Sequence, residues 1–270
     1  MNTPIRLEDA REWNVVVCMG QSLMNGPGIQ SYAAVDRGND HRLIELTNGK
    51  QNGVYTFAER MNSTGFPDDY NFGLNVSAGR QLAKRGLRNL VTLKHAVGGH
   101  SITAFIPEGD RLEPIPGGQA DQSERAVEGF EDAFKRLGQF GATVNFLGFI
   151  WFQGSSDRSD ANLYNNYQAH LTSLLSHYRT NVSLADGNTP WLIGRSPNWQ
   201  APSAPAGGLL TVRNAQEAVG AADANAVTVS IDDPLGVAIT YSDGTHPEPA
   251  SSERIGVVLG NAFYDLFVVS

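Results

Sequence analysis

Four short segments carry side chains suited to acyl transfer: Gly20-Gln21-Ser22, Gly98-Gly99-His100-Ser101, Gln153-Gly154-Ser155-Ser156-Asp157 and Asp243-Gly244-Thr245-His246. Acyl transfer needs a hydroxyl nucleophile, an imidazole to take its proton, an acid to orient the imidazole, and N–H donors for the oxyanion. Ser22, His246 and Asp243 are the right types for the first three roles. The three-residue spacing of Asp243 and His246 lets one loop present both. Taken singly, each segment has a plainer explanation. A Gly-x-Ser after a strand is usually a turn, Asp-Gly-Thr-His a turn and helix cap, and Gly-Gly a tight turn. A Gln at a strand end is ordinarily a satisfied polar group. The conjunction of all four points to chemistry.

The elements needed to position them can be read from apolar periodicity. Residues 13–18, 90–96, 144–152, 191–193 and 226–231 form β-rich or continuous apolar runs and are predicted as strands. Helices are predicted over 72–85, 124–137, 163–178, 209–222 and 251–267, where apolar residues recur three and four apart. Five strands, each followed by a helix, indicate an α/β fold with a mostly parallel sheet and helices on both faces. The pattern runs unbroken from Trp13 to the end, which predicts one domain over 1–270. In open α/β sheets ligands bind outside the carboxyl ends of the strands. Ser22, Gly99 and Gln153 each directly follow a strand, and Asp243 and His246 lie just before the last helix, so the fold would gather them on one rim.

Gly20-Gln21-Ser22-Leu23-Met24, Val97-Gly98-Gly99-His100-Ser101, Trp151-Phe152-Gln153-Gly154 and Asp243-x-x-His246 resemble the blocks of the SGNH (GDSL-like) hydrolases. More narrowly they are similar to the sialate O-acetylesterase and acetylxylan esterase branch, whose blocks read GQSNM, GG-T/S-S and WxQGE. The resemblance spans about residues 15–267, in order. It implies a three-layer, flavodoxin-like fold with a five-stranded sheet. It further implies a carbohydrate O-acetylesterase with Ser22 as nucleophile, His246 as base and Asp243 as orienting acid. Oxyanion donors would come from Ser22 N–H, Gly99 N–H and the Gln153 amide. Gln21, Gly98 and His100, beside those groups, are the residues expected to touch substrate. No cofactor or metal is implied. Two positions depart from the pattern: Leu23 stands for Asn and Ser155 for Glu, with Asp157 carrying an acid two residues further on.

The substrate is expected to be an acetylated carbohydrate. Long connections at 23–70, 102–122 and 195–208 leave the site rim and carry Tyr32, Tyr55, Phe66, Tyr70, Phe105 and Trp199 among polar residues. Aromatic faces with polar neighbours suit sugar rings better than an acyl chain, although any one of these rings could simply pack beneath its own loop. A lipase or thioesterase of the same superfamily would keep the triad behind an apolar mouth. A glycan-binding module descended from an esterase would bind without turnover. His170 and His177, seven apart on a predicted helix, lack metal-ligand spacing, as do His41, His95 and His100.

A net charge of −8 and the lack of any basic cluster argue against nucleic acid or an anionic membrane surface as partner. With 41% hydrophobic and 18% charged residues, the composition is that of an ordinary globular protein. Cys18 is the single cysteine, so no intrachain disulfide can form, and its apolar surroundings predict a buried thiol. Residues 1–13 are polar and charged, unlike a secretory signal, and no apolar run reaches the ~20 residues of a membrane span. The expectation is a protein without membrane insertion that acts in the cytoplasm, on a virus particle, or as a processed extracellular form.

Overall fold

The structure, a computed structural model of the 270-residue chain, describes residues 11–26, 43–48, 55–58, 73–139, 141–198, 207–232, 234–244 and 246–269, with backbone alone at 43–48 and 55–58. The strands are β1 (Glu12–Gly20), β2 (Leu43–Asn48), β3 (Tyr55–Ala58), β4 (Leu90–Ala96), β5 (Thr143–Phe152), β6 (Trp191–Gly194) and β7 (Ala226–Val229). The helices are α1 (Ser22–Asn25), α2 (Leu74–Lys84), α3 (Ser123–Gly138), α4 (Ala161–Asn181), α5 (Gly208–Ala222) and α6 (Pro249–Phe267).

All seven strands join one sheet in the order β3-β2-β4-β1-β5-β6-β7, with β3 antiparallel to β2 and every other pairing parallel. The five predicted strands are β1, β4, β5, β6 and β7. Numbered by themselves they lie in the order 2-1-3-4-5, the flavodoxin-like winding. The strands β2 and β3 were not expected; they fall inside the connection predicted to run from 23 to 70 without strands. Residues 27–42, 49–54 and 59–70 of that connection, including Tyr32, Phe66 and Tyr70, lie outside the described residues, as does Trp199.

Alternation along β1 builds the two faces. Trp13, Val15, Val17 and Met19 point into one core layer with Phe130, Phe149, Trp151, Leu171, Tyr178 and Trp191, beneath α3, α4 and α5. Val16 and Cys18 point the other way, against Leu74, Leu82, Ile150, Ile255 and Phe263 of the layer carrying α2 and α6. Cys18 is fully buried, as its surroundings predict. On this second face α2 and α6 approach closely at two glycines of α6. A Cβ added to Gly256 would overlap Ser77 Oγ and lie 2.8 Å from the Leu74 carbonyl oxygen; one on Gly260 would lie 2.6 Å from the Ala78 carbonyl oxygen.

Register does the positioning. Gly20 pairs with Ala96 on one side and with Phe152 on the other, so the three central strands end level. The residues that follow, 21–22, 97–100 and 153–154, therefore emerge at one edge, at the point where the strand order reverses. Loop 230–248 leaves the same edge from β7 and leads into α6.

Candidate active site

Ser22 opens α1 directly after β1, and only 8% of it is exposed. The turn is tight because Gly20 has φ +151° and a Cβ there would overlap the carbonyl oxygen of Phe152. At the first position of a helix, the Ser22 N–H has no intrahelical acceptor, and no protein acceptor meets it among the described residues.

Gly98 lies beside Ser22: a Cβ on Gly98 would be 3.9 Å from the serine Cβ. Residues 97–100 form a β-turn, with His100 N–H donating to the Val97 carbonyl at 3.5 Å. Gly99 has φ +74°, the value that position i+2 of a type II turn requires and that glycine adopts readily. Its N–H likewise has no protein acceptor among the described residues. Side chains hold the turn's carbonyls. His100 Nδ1 donates to Gly98 O at 3.1 Å, Gln119 Nε2 to Gly99 O at 3.2 Å, and Gln153 Nε2 to His100 O at 3.1 Å.

Gln153 follows β5 and is 3% exposed. Its Oε1 accepts from the Tyr167 hydroxyl at 2.8 Å. A side-chain amide has two hydrogens, and here they go to His100 O and to the carboxylate of Asp157. The expectation of a Gln153 amide open to an oxyanion is thus modified: both hydrogens are engaged within the protein. Asp157 is fully buried and also accepts the Ile102 N–H at 3.0 Å. Burial pushes its carboxyl up to about 7, against the downward pull of the Gln153 and Ile102 donors. Sequence had marked Asp157 only as a nearby acid; its part in bracing the loops depends on contacts to residues 102 and 153 that no local pattern reveals.

Gln21, expected to touch substrate, is turned inward. It is 3% exposed, its Nε2 donates to Ser155 Oγ, and its Oε1 accepts the Ser156 N–H at 3.2 Å. The departure at Ser155 is thereby absorbed, because the short hydroxyl receives the Gln21 amide. Leu23, the other departure, is buried in the core layer of α2 and α6. Phe105, a candidate sugar platform, is fully buried and packs edge-to-face on Trp151 with centroids 5.3 Å apart.

Asp243 and His246 form a close pair. His246 Nδ1 lies 2.6 Å from Asp243 Oδ2, and the His246 backbone N–H donates to Oδ1 at 2.6 Å. The loop is closed at its base by Ser242 N–H donating to His246 O at 3.0 Å and by the Tyr241–Pro247 bridge. The side chains are 27% and 54% exposed for His246 and Asp243. No hydrogen bond joins Ser22 to His246 in this structure. Nucleophile–base bonds are often loose before substrate binds. Besides His100, which lies in the 97–100 turn, the other described histidines are packed or held elsewhere. His95 is fully buried among Phe105 and Phe130, and burial pushes it down to about 4. His170, fully buried, accepts the Leu112 N–H at 3.1 Å. Among the described residues no group of three or more His, Cys, Asp or Glu is placed to hold a metal ion, and no helix is long and apolar enough to cross a membrane.

Comparison with known proteins bears on the fold and the family. Among solved structures, a protein from Arabidopsis thaliana superposes with a TM-score of 0.68 at 17% identity, covering 94% of this chain and 98% of that one. A carbohydrate acetylesterase from Xanthomonas citri gives 0.69 at 15% identity over 95% of this chain and 57% of its own. NanS gives 0.61 at 14% identity over 95% and 98%. At these identities the likeness is one of fold. No curated protein matches the chain. Residues 12–265 match the family described as carbohydrate esterase, sialic acid-specific acetylesterase, and the chain belongs to that family of carboxylic ester hydrolases.

Proposed function

We propose that this carbohydrate esterase removes O-acetyl groups from a sugar through an acetyl-serine intermediate, with Ser22, His246 and Asp243 as its triad. The observation that carries the reading is the meeting of Ser22 with Gly98, with the N–H groups of Ser22 and Gly99 meeting no acceptor among the described residues. The 2.6 Å Asp243–His246 pair on the same sheet edge supports it. Because Asp243 lies at Nδ1, the imidazole presents Nε2 to the serine.

Ser22 Oγ attacks the acetyl carbonyl carbon as its proton passes to His246 Nε2. The tetrahedral oxyanion is held by the N–H groups of Ser22 and Gly99. Gln153 adds a third donor on exchanging its bond to His100 O or Asp157. The C–O bond to the sugar then breaks, and His246 returns the proton to the departing sugar oxygen. Water, deprotonated by His246, attacks the acetyl-enzyme and releases acetate with Ser22 restored.

The family description makes an O-acetylated sialic acid the first glycan to test. Acetate release should be measured from 4-nitrophenyl acetate and from acetylated sialic acids and xylan, wild type beside Ser22→Ala. Turnover by wild type and a loss of on the order of 10³-fold or more in kcat for Ser22→Ala are expected. A Ser22→Ala protein that keeps wild-type activity would overturn the mechanism. Glycan binding with no release from any ester would mark a binding module instead, and a preference for octanoyl over acetyl esters a lipase.

A further inference from the structure

His100 does something at this site that its place in the chain does not announce. Its ring is held at both nitrogens. Gly98 O can only accept, so Nδ1 carries the hydrogen of the 3.1 Å bond; Ala120 N–H donates to Nε2 at 3.3 Å, so Nε2 is bare. The ring is thus fixed in one tautomer between two loops.

The carbonyl it holds belongs to the peptide unit between Gly98 and Gly99, the central peptide of the turn at 97–100. In a trans peptide the C=O and N–H point in opposite directions. Fixing Gly98 O therefore fixes the direction of the Gly99 N–H, which meets no acceptor among the described residues and belongs to the turn whose Gly98 lies beside Ser22. Type I and type II turns differ chiefly by a rotation of this central peptide through roughly 150–180°. Most residues at the third turn position favour one form, because φ near +80° strains a side chain. Glycine tolerates both, so Gly98-Gly99 alone leaves the donor free to swing away from the serine. The Val97 carbonyl accepts the turn's own His100 N–H, and those of Gly99 and His100 are held by Gln119 and Gln153. The central one is held by His100.

We infer that His100 is a positioning residue which keeps the 97–100 turn in its type II form and so aims the Gly99 N–H at the oxyanion. This rests on the assignment of Ser22 as nucleophile and Gly99 N–H as oxyanion donor. His100 itself touches neither substrate nor the reacting atoms. Its effect belongs in the transition state, where the donor acts, and not in ground-state binding.

Steady-state kinetics on 4-nitrophenyl acetate and on the preferred acetylated glycan should be compared for wild type, His100→Ala, His100→Asn and His100→Gln, with Ser22→Ala alongside. Losing an oxyanion donor outright lowers kcat by ~10²–10³-fold. A donor that is only sometimes misaimed should lower it by roughly 10–100-fold in His100→Ala, with KM within about twofold. Asn carries an N–H one bond beyond Cγ, as Nδ1 does, and should restore most of the turnover. Gln carries it one bond further out and should not. A rise in KM at unchanged kcat would make His100 a substrate contact and overturn the inference, as would equal losses in Ala and Asn. So would wild-type kcat in His100→Ala when Ser22→Ala is inactive. Wild-type hydrolysis by Ser22→Ala would instead remove the assignment beneath it. If His100→Ala fails to fold, the Asn and Gln variants at matched Tm make the same comparison.

Discussion

The carboxylate of Asp157 accepts the Ile102 backbone N–H at 3.0 Å, and neither residue is exposed to solvent. The loop after β5 is thereby tied to the loop after β4 from beneath the candidate site. Burial raises this carboxyl from the ordinary 3.8 to about 7. The folded state therefore takes up a proton between those values, and stability falls as pH rises through the window. The contribution is complete below the ordinary value and gone above about 7. Urea denaturation across this range should show a slope of up to about 1.4 kcal/mol per pH unit from this group. Asp157→Asn should flatten that slope and cost about 1–3 kcal/mol, because both oxygens face N–H donors and an amide must turn its own NH2 toward one of them. A slope unchanged by the substitution would contradict the assignment.

The Asp243–His246 pair makes a different kind of prediction, because both side chains keep contact with solvent. Asp243→Asn should lower kcat by on the order of 10³–10⁴-fold by losing the orienting acceptor at Nδ1. Thermal unfolding should barely move, since exposed pairs contribute little to stability. A large drop in Tm accompanying the kinetic loss would mean that the loop, not the imidazole, had been disturbed.

Arg213 and Asp232 secure the loop that leads toward this pair. Arg213 donates to both oxygens of Asp232, at 2.9 and 2.7 Å, and to Ser196 O at 2.6 Å. The guanidinium beside it holds the Asp232 carboxyl down to about 2. A depressed carboxylate contributes stability above its ordinary value of 3.8 and loses it as pH falls through about 2. Arg213→Met should weaken that acid dependence, with Arg195 Nη2 still 2.8 Å from Asp232 Oδ2, and destabilise by about 1–3 kcal/mol, measured by denaturant titration.

Gly20→Ala should be among the most damaging single changes. The added methyl would overlap the Phe152 carbonyl oxygen, which is backbone, and φ +151° disfavours any side chain. A loss of about 3 kcal/mol or more is expected. A variant with wild-type Tm would show that β1 and β5 can separate at their ends.

How much of this was legible in the sequence follows from the range of the interactions involved. The strand before Ser22 could be read because its residues are apolar and β-branched, and its end because a glycine follows. The pairing of Asp243 with His246 is local and lay open in the same way. The five major strands and five long helices follow from periodicity, with ends displaced by at most three residues. The strands β2 and β3 do not, because they belong to no strand–helix unit: β2 leads straight into β3, which pairs back on it antiparallel. The inward turn of Gln21 toward Ser155, and the engagement of Gln153 by Tyr167, His100 and Asp157, join residues from separate strand ends. Spacing along the chain carries no trace of such contacts.

The crossing of α2 and α6 has a consequence for remodelling this scaffold. Where Gly256 and Gly260 rest on Ser77, Leu74 and Ala78, the two helices meet closely, the glycines leaving room for the Ser77 side chain and the Leu74 and Ala78 carbonyls. The helix that begins three residues after His246 is therefore docked by a close contact set among its buried Ile255, Leu259 and Phe263 side chains. Replacing 234–239 would leave that contact, the Thr240–Ser251 bond and the Asp243–His246 pair in place, so this stretch can be redesigned while the imidazole keeps both its acid and its downstream tether.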